Sequence, residues 1–134
     1  MNEFKWRLEG RDFQPTLEKW WEGKGFIILP PELLPERIFV VSDNTDDIYA
    51  IPVYVTDSKF AWMGFPTSKP NRNLPADYKK ESFQYLLNII SITMKYNGYD
   101  RLITTSFHPV IMDNLEANGF QNTEQTNFFL KNTQ

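Results

Sequence analysis

The chain has 134 residues, a length that fits one domain able to bury about two-thirds of its unfolded surface, and its 41% hydrophobic and 16% aromatic residues are enough for a core. It has no cysteine and a single histidine, which excludes a disulfide framework, a thiolate nucleophile, and zinc sites built on sulfur or on several histidines. Its formal net charge of −3 argues against general nucleic-acid binding, because a surface that follows phosphates needs excess lysine and arginine.

The N-terminal segment predicts a strand followed by a short helix. Residues 4–8 alternate between apolar and polar side chains, which is the period of a half-buried strand. Apolar residues then recur at positions 13, 17, 20 and 21, which is helical spacing, and Gly23 and Gly25 end that helix. Prolines at both ends of the segment 30–35 exclude a regular helix or a central strand there, so this segment is predicted to be a loop.

The middle of the chain predicts a meander of three strands. Residues 37–42 and 47–55 flank Asp43-Asn44-Thr45-Asp46, whose side chains are typical of a turn, and together they predict a hairpin. Residues 60–65 predict the next antiparallel strand.

Helices and strands alternate in the last part of the chain. Pro75 suits a helix start, and apolar residues at 83, 86, 87, 90 and 94 predict a helix over 74–96 that Asn97-Gly98 ends. Residues 101–106 predict a strand that pairs in parallel with an earlier one, since a helix separates the two. A helix stopped by Gly119 and a last strand over 125–130 follow. The fold class is therefore α/β (α+β) with a mixed sheet, in a single domain over residues 1–134.

A short basic window interrupts this acidic chain. Between residues 66 and 80 the charged residues are Lys69, Arg72, Lys79, Lys80 and Asp77. The window therefore carries +3 and the remainder of the chain −6. It indicates either a local anion site or a set of solvated loop and helix side chains.

The succession of strands and helices, with the ending Leu115-Glu116-Ala117-Asn118-Gly119-Phe120, resembles the GCN5-related N-acetyltransferase (GNAT) family. That ending looks like the family's Tyr-Glu-Lys-x-Gly-Phe, and the resemblance covers most of the chain and is strongest over residues 60–120. The segment from Trp20-Trp21 to residue 65 is similar to small acetyltransferase-like proteins of phages and prophages. The resemblance implies a GNAT-like acyl-CoA N-acyltransferase fold, largely antiparallel in its N-terminal strands, with a parallel pair at the cofactor cleft.

The family resemblance also implies that acetyl-CoA, as co-substrate, enters between strands 60–65 and 101–106. The family holds the pyrophosphate with a glycine-bearing loop, whereas the matching residues 69–77 have no glycine and Pro75 removes one amide donor. The cations of the basic window are expected to offset those lost contacts. The residues implied for cofactor binding are Phe65, Thr67, Lys69, Arg72, Asn73, Leu74, Ala76 and His108.

The catalytic residues are harder to identify. The resemblance places Leu115 where many family members have the tyrosine that protonates the leaving thiolate. The catalytic candidates are His108, because an imidazole titrates near neutral pH, and Ser106, at the predicted strand end. A lone histidine beside a proline is more often a loop or capping residue, and Ser106 is equally well explained as a cap. The remaining candidates for a base are Asp57, Glu116, Tyr54 and a water molecule.

The predicted function is direct transfer of an acetyl group from acetyl-CoA to an amine of a small molecule or peptide, since no cysteine exists to form an acyl-enzyme. The alternative is a non-catalytic acyl-CoA-binding or interaction module with a degenerate site, and a third reading is a nucleic-acid-associated phage accessory protein. We expect a cytoplasmic protein, because no segment approaches the length needed to span a bilayer. We expect no nucleic-acid or membrane partner and leave a homodimer open.

Overall fold

The computed structural model describes residues 3–106 and 109–123. The elements in chain order are β1 (Lys5–Glu9), a 3-10 helix (Arg11–Phe13), α1 (Gln14–Glu22), a second 3-10 helix (Pro31–Leu33), β2 (Arg37–Ser42), β3 (Asp47–Val55), β4 (Phe60–Met63), β5 (Thr67–Ser68), α2 (Ala76–Tyr96), β6 (Arg101–Ile103) and α3 (Pro109–Ala117). No helix in this part of the chain is long and apolar enough to cross a membrane.

The strands form one mixed sheet in the order β1-β2-β3-β4-β6, and β5 also pairs with β3. All neighbours are antiparallel except β4 and β6, which run parallel from the Phe60–Arg101 pair to the Trp62–Ile103 pair. The predicted mixed α/β class, with antiparallel N-terminal strands and one parallel pair, is confirmed.

Helices cover both faces of the sheet, so the domain has two hydrophobic clusters. On the α2 face, the buried stripe of α2 packs with α3 against Phe39, Val41, Ile51, Val53, Ala61 and Met63. On the α1 face, α1 and its neighbouring 3-10 helices contribute Phe13, Leu17, Trp20, Trp21 and Leu34, which pack against Ile38, Val40 and Ala50. The cluster on the α1 face contains no residue of β4 or β6.

Most predicted elements are present, and several boundaries differ. β1 lies one residue later than predicted, and β4 ends at Met63, two residues before its predicted end. β6 ends at Ile103 and not at residue 106, because the Thr104 hydroxyl donates to the Met63 carbonyl at 2.8 Å where a backbone bond would otherwise continue the ladder. The predicted loop 66–73 contains β5. α2 begins at Ala76, two residues later than predicted, with Pro75 as its N-cap residue. The predicted last strand, residues 125–130, lies outside the described residues.

Candidate functional site

β4 and β5 are two parts of one strand interrupted by a bulge. β4 pairs with β3 through Val53↔Met63, and β5 pairs with β3 through Ala50↔Thr67, so the register along β3 changes by one residue between them. The extra residue lies in the segment 64–66. Bulges of this kind bend a strand and are common beside active sites, because they direct backbone groups out of the ladder.

The two parallel strands part at this bulge. Their last pair is Trp62 with Ile103; β5 then continues beside β3, whereas β6 has ended. Within the described ranges no strand lies on the outer side of β5. Backbone groups of residues 64–68 that point away from β3 can therefore bond a ligand that lies between them and residues 104–106. We call this space between residues 64–68 and residues 104–106 the parting.

Gly64 is required by the packing at the parting. Its amide donates to the Pro52 carbonyl at 2.7 Å, and a Cβ atom on Gly64 would lie 2.8 Å from Pro52 Cγ and 3.4 Å from Tyr54 Cε1. A glycine inside a predicted strand is a known signal of a bulge, and it is the signal by which sequence analysis could have found this one.

The end of α1 is attached to β5 by two side chains. The indole N–H of Trp21 donates to the Thr67 hydroxyl at 3.0 Å in the buried interior. The ammonium of Lys24 donates to the Ser68 carbonyl and, at 2.7 Å, to the Ser68 hydroxyl. These bonds hold the α1 C-terminus directly against the strand that borders the parting.

Lys24 also lies close to the start of α2. Burial lowers the pKa of the Lys24 ammonium, and the nearby charge of Lys79 lowers it further. No side chain caps the first turn of α2, whose amides carry the positive end of the helix dipole. Two neighbouring ammonium groups beside an uncapped helix N-terminus favour a bound anion, which would relieve their repulsion. Lys24 was missed in the sequence because it lies far along the chain from the basic window, between two glycines that indicate only a helix end.

Arg72, the central cation of the basic window, is engaged in a nearly buried network with Asp43. Its guanidinium donates to the two carboxylate oxygens at 2.9 and 3.1 Å, with side chains only 13% and 9% exposed. The Tyr78 hydroxyl donates to the same carboxylate at 2.6 Å, and the amides of Thr45 and Asp46 donate at 2.8 and 3.0 Å. The Arg72 guanidinium, aided by these other donors, holds the pKa of Asp43 far below its usual range. This network ties the β2–β3 turn to the loop that precedes α2.

The structure thus divides the residues predicted to bind the cofactor into two groups. Phe65 is 65% exposed at the parting, and Asn73 and Ala76 are exposed just before and at the start of α2. The other described side chains are engaged within the protein: Thr67 with Trp21, Lys69 with Asp46, Arg72 with Asp43, and Leu74 at the margin of the core. The main chain of Thr67 pairs with Ala50 of β3 and its hydroxyl accepts from Trp21, so Thr67 is engaged at both, and a phosphate contact of Arg72 would compete with Asp43. The cofactor roles of all these residues stay predictions.

The catalytic candidates are only partly visible. His108 lies outside the described residues, and Ser106 is half-buried where the chain leaves β6. Leu115, at the position of the family tyrosine, is buried in the core of the α2 face. Of the other base candidates, Tyr54 borders the parting; its hydroxyl donates to the Leu33 carbonyl at 2.8 Å, and burial raises its pKa. In the described ranges, no cluster of three or more acidic or histidine side chains could hold a metal ion.

Two open depressions lie elsewhere on the sheet, and Tyr54 borders both the second of them and the parting. One, of about 280 Å³, is bordered by residues 58–60 and 100–101, where β4 and β6 begin. The other, of about 380 Å³, lies between the second 3-10 helix, the start of β2 and the end of β3. Charged side chains line both depressions, and the second also includes Tyr54. The parting is the better candidate site, because it combines open backbone groups with the uncapped, cationic start of α2.

Comparison with known proteins identifies the fold. No protein-family model matches the chain, and no curated protein matches it. Among solved structures, an aminoglycoside acetyltransferase from an uncultured soil metagenomic sample, in complex with sisomicin, aligns with a TM-score of 0.69 at 14% identity over 98% of this chain and 97% of that chain. This chain has the GNAT acetyltransferase fold.

Two further structures with this fold are similar over most of their length. An aminoglycoside N-acetyltransferase in complex with CoA aligns with a TM-score of 0.62 at 14% identity, over 98% of this chain and 96% of that chain. The ribosomal-protein-S18-alanine N-acetyltransferase from Escherichia coli aligns with a TM-score of 0.68 at 13% identity, over 91% and 80%. Sequence identities this low establish a common GNAT fold and no residue roles. The narrower resemblance to phage and prophage proteins stays a prediction.

Proposed function

We propose that the protein is an N-acetyltransferase that uses acetyl-CoA as co-substrate and transfers the acetyl group directly to an amine. The observation that carries this proposal is the parting of β4 and β6 at a bulge, beside the uncapped start of a long helix. An open strand edge can bond the amide groups of a pantetheine arm, and a helix N-terminus with two lysines can bond phosphates. These two features lie on consecutive parts of the chain, as a long ligand with an amide arm and an anionic end requires.

The residues present fit CoA, although the phosphate contacts differ from those implied by the sequence. We assign the phosphates to the amides of the first turn of α2, Lys24 and Lys79, because Lys69 and Arg72 already have carboxylate partners. We assign the pantetheine arm to the outward backbone groups of residues 64–68 other than the Ser68 carbonyl, which already accepts from Lys24. When bound, acetyl-CoA supplies the activated acetyl thioester.

The acceptor amine is expected to approach from the α1 face. On the α2 face the parting is closed by the core, where Met63 is fully buried. On the α1 face no helix of the adjoining cluster covers β4 or β6, and strand pairing places Tyr54, Trp62 and Ile103 there side by side. The acceptor, a small-molecule or peptide amine, would therefore contact an apolar and aromatic surface next to the acetyl group.

The proposed chemistry is attack of the neutral amine on the thioester carbonyl, loss of a proton from the amine, and departure of the CoA thiolate. Because burial raises its pKa, Tyr54 is protonated at neutral pH and suits a proton donor better than a base. His108 and Ser106 stay the proposed catalytic side chains. A backbone amide at the bulge is suited to stabilise the oxyanion.

A non-catalytic acyl-CoA-binding module is the second candidate, and one observation favours it. Leu115 is buried in the core, so the position of the family's acid supplies neither a proton nor a polar contact. Such a module would keep CoA binding and lose turnover.

Calorimetric titration with acetyl-CoA tests the cofactor site. We expect binding at micromolar to millimolar concentrations, weakened about tenfold or more in Lys24→Met, because one charge-assisted phosphate contact is lost. Lys80→Met is the matched control, since Lys80 is exposed in the first part of α2 and has no ion-pair partner among the described residues. Absence of binding at millimolar ligand, or equal loss in both variants, would refute the assignment.

Turnover then separates the enzyme from the binding module. CoA release can be followed with a thiol reagent across a panel of amines, and the chain itself gives no background because it has no cysteine. An N-acetyltransferase releases CoA only with its acceptor present, and His108→Ala is expected to slow it at least tenfold. Binding without release across the panel would favour the module.

A further inference from the structure

β1 forms one edge of the sheet, and that edge is partly apolar. Its outer side has no partner strand in residues 3–106 and 109–123. Trp6 and Leu8 are 41% and 46% exposed. Exposed strand edges bind other strands unless they are covered, and an edge that carries large apolar side chains is the kind that pairs.

The exposed apolar surface continues from β1 onto α2. The Trp6 ring stacks on Phe39 with centroids 6.0 Å apart, so Trp6 and, two residues later, Leu8 lie on the α2 face. Tyr85 of α2 packs beside Phe4, which precedes β1. On the same side of the helix, at spacings of seven and eleven residues, follow Ile92 and Tyr96, which are 66% and 91% exposed. The side of the domain next to β1 is therefore an apolar strip.

We propose that this strip, the outer edge of β1 with Ile92 and Tyr96, is a homodimer interface in which β1 pairs antiparallel with β1 of a second copy. With a two-fold axis perpendicular to the sheet, the α1 faces of both copies lie on one side of the joined sheet and the α2 faces on the other. Residues that lie opposite one another across the interface therefore belong to the same face. Within the five residues of β1, the axis can therefore lie at Trp6, Arg7 or Leu8.

The charges favour the axis at Arg7. In that register all five residues of β1 pair, Lys5 lies opposite Glu9 of the second copy, and Trp6 lies opposite Leu8, each twice by symmetry. With the axis at Trp6, Lys5 would face Arg7, a like-charge pair. With the axis at Leu8, only the three residues from Arg7 to Glu9 would pair.

The two Arg7 side chains that meet at the axis are neutralised within their own chains. Each guanidinium donates to Asp47 at 2.7 and 3.0 Å and to Glu9 at 2.7 Å, and lies 5.8 Å from the Phe13 ring centroid. The charge of Lys5, by contrast, has no ion-pair partner among the described residues. The second copy is thus the partner whose charge pattern complements this edge.

Analytical ultracentrifugation of the whole chain tests the proposal. We expect a species of about twice the 15.8 kDa chain mass, with a Kd raised at least tenfold by Leu8→Lys. Lys59→Glu, on an exposed residue where β4 begins, is the control and should leave the Kd unchanged. A monomer at millimolar concentration, or a dimer insensitive to Leu8→Lys, would overturn the proposal.

Charge exchange and cross-linking test the register. Lys5→Glu and Glu9→Lys should each weaken the dimer, by about tenfold. The double variant should recover part of the loss, because both cross-strand pairs reform with reversed sign while Arg7 still lacks Glu9. In the cysteine-free chain, a mixture of Lys5→Cys and Glu9→Cys proteins should form a disulfide-linked dimer under mild oxidation, whereas neither variant alone should. Cross-linking within a single variant, or no recovery in the double variant, would contradict the Arg7 register. Circular dichroism confirms that each variant is folded.

Discussion

Replacing Asp43 by asparagine is expected to destabilise the fold by about 3 kcal/mol at neutral pH. The carboxylate accepts five hydrogen bonds: two from Arg72, one from Tyr78 and two from backbone amides. The side-chain amide keeps one acceptor oxygen and places an NH₂ group against the donors of Arg72 and Tyr78, so two charge-assisted bonds are lost, each contributing about 1.5 kcal/mol or more. For a domain of this size the midpoint of thermal unfolding should fall by on the order of 10 °C.

The stability that the Asp43 carboxylate contributes should depend on pH. The folded-state pKa of Asp43 is depressed, so its contribution is complete above the unfolded-state pKa of about 4 and is lost as pH falls below that value. The stability gap between wild type and Asp43→Asn should therefore be constant from about pH 5 to 8 and narrow below about pH 4. Denaturant unfolding followed by tryptophan fluorescence measures both quantities, with Asp57→Asn in the exposed β3–β4 turn as control. A gap under about 1 kcal/mol, or one that does not narrow in acid, would refute the reasoning.

Two further variants probe the parting itself. Gly64→Ala should lower the free energy of unfolding by about 1–3 kcal/mol and weaken acetyl-CoA binding, because the added methyl group lies 2.8 Å from the Pro52 ring. Gly23→Ala is the control, because its added methyl group meets no atom within 4 Å. Equal unfolding midpoints for the two variants would contradict this prediction. Trp21→Phe should lower the stability by about 1–3 kcal/mol, because the buried Thr67 hydroxyl oxygen loses the indole donor and the hydroxyl keeps only its long bond to the Phe65 carbonyl. Combining it with Thr67→Val should cost less than the sum of the single changes, and strict additivity in denaturant unfolding would show that the bond contributes nothing.

The helices and strands could be predicted from the sequence wherever apolar residues recur with a regular period, because that period indicates which side chains are buried. The helical stripe of α2 is buried as expected at Phe83, Leu86, Leu87, Ile90 and Met94. β3 was also predicted correctly, although Pro52 lies in its middle. The strand tolerates this proline because it lies beside the bulge, where its carbonyl accepts from the Gly64 amide and no amide donor is needed from Pro52. Short elements such as β5 carry too few residues to show a period.

The site was less predictable, because it depends on pairing between distant residues. The basic window suggested that Lys69 and Arg72 act together on an anion, but their carboxylate partners, Asp46 and Asp43, come from the β2–β3 turn, which no local pattern brings beside them. Lys24 reaches α2 only because α1 packs against β5. The sequence shows which residues are charged, but which cation pairs with which carboxylate depends on the fold.

Hydrogen–deuterium exchange with and without acetyl-CoA tests most directly whether the parting is the cofactor site. The account predicts slower exchange for the amides of residues 64–68 and of the first turn of α2, with the amides of β1 unchanged. Binding that leaves both of these segments unprotected, and instead protects residues 58–60 and 100–101 at the first depression, would contradict it.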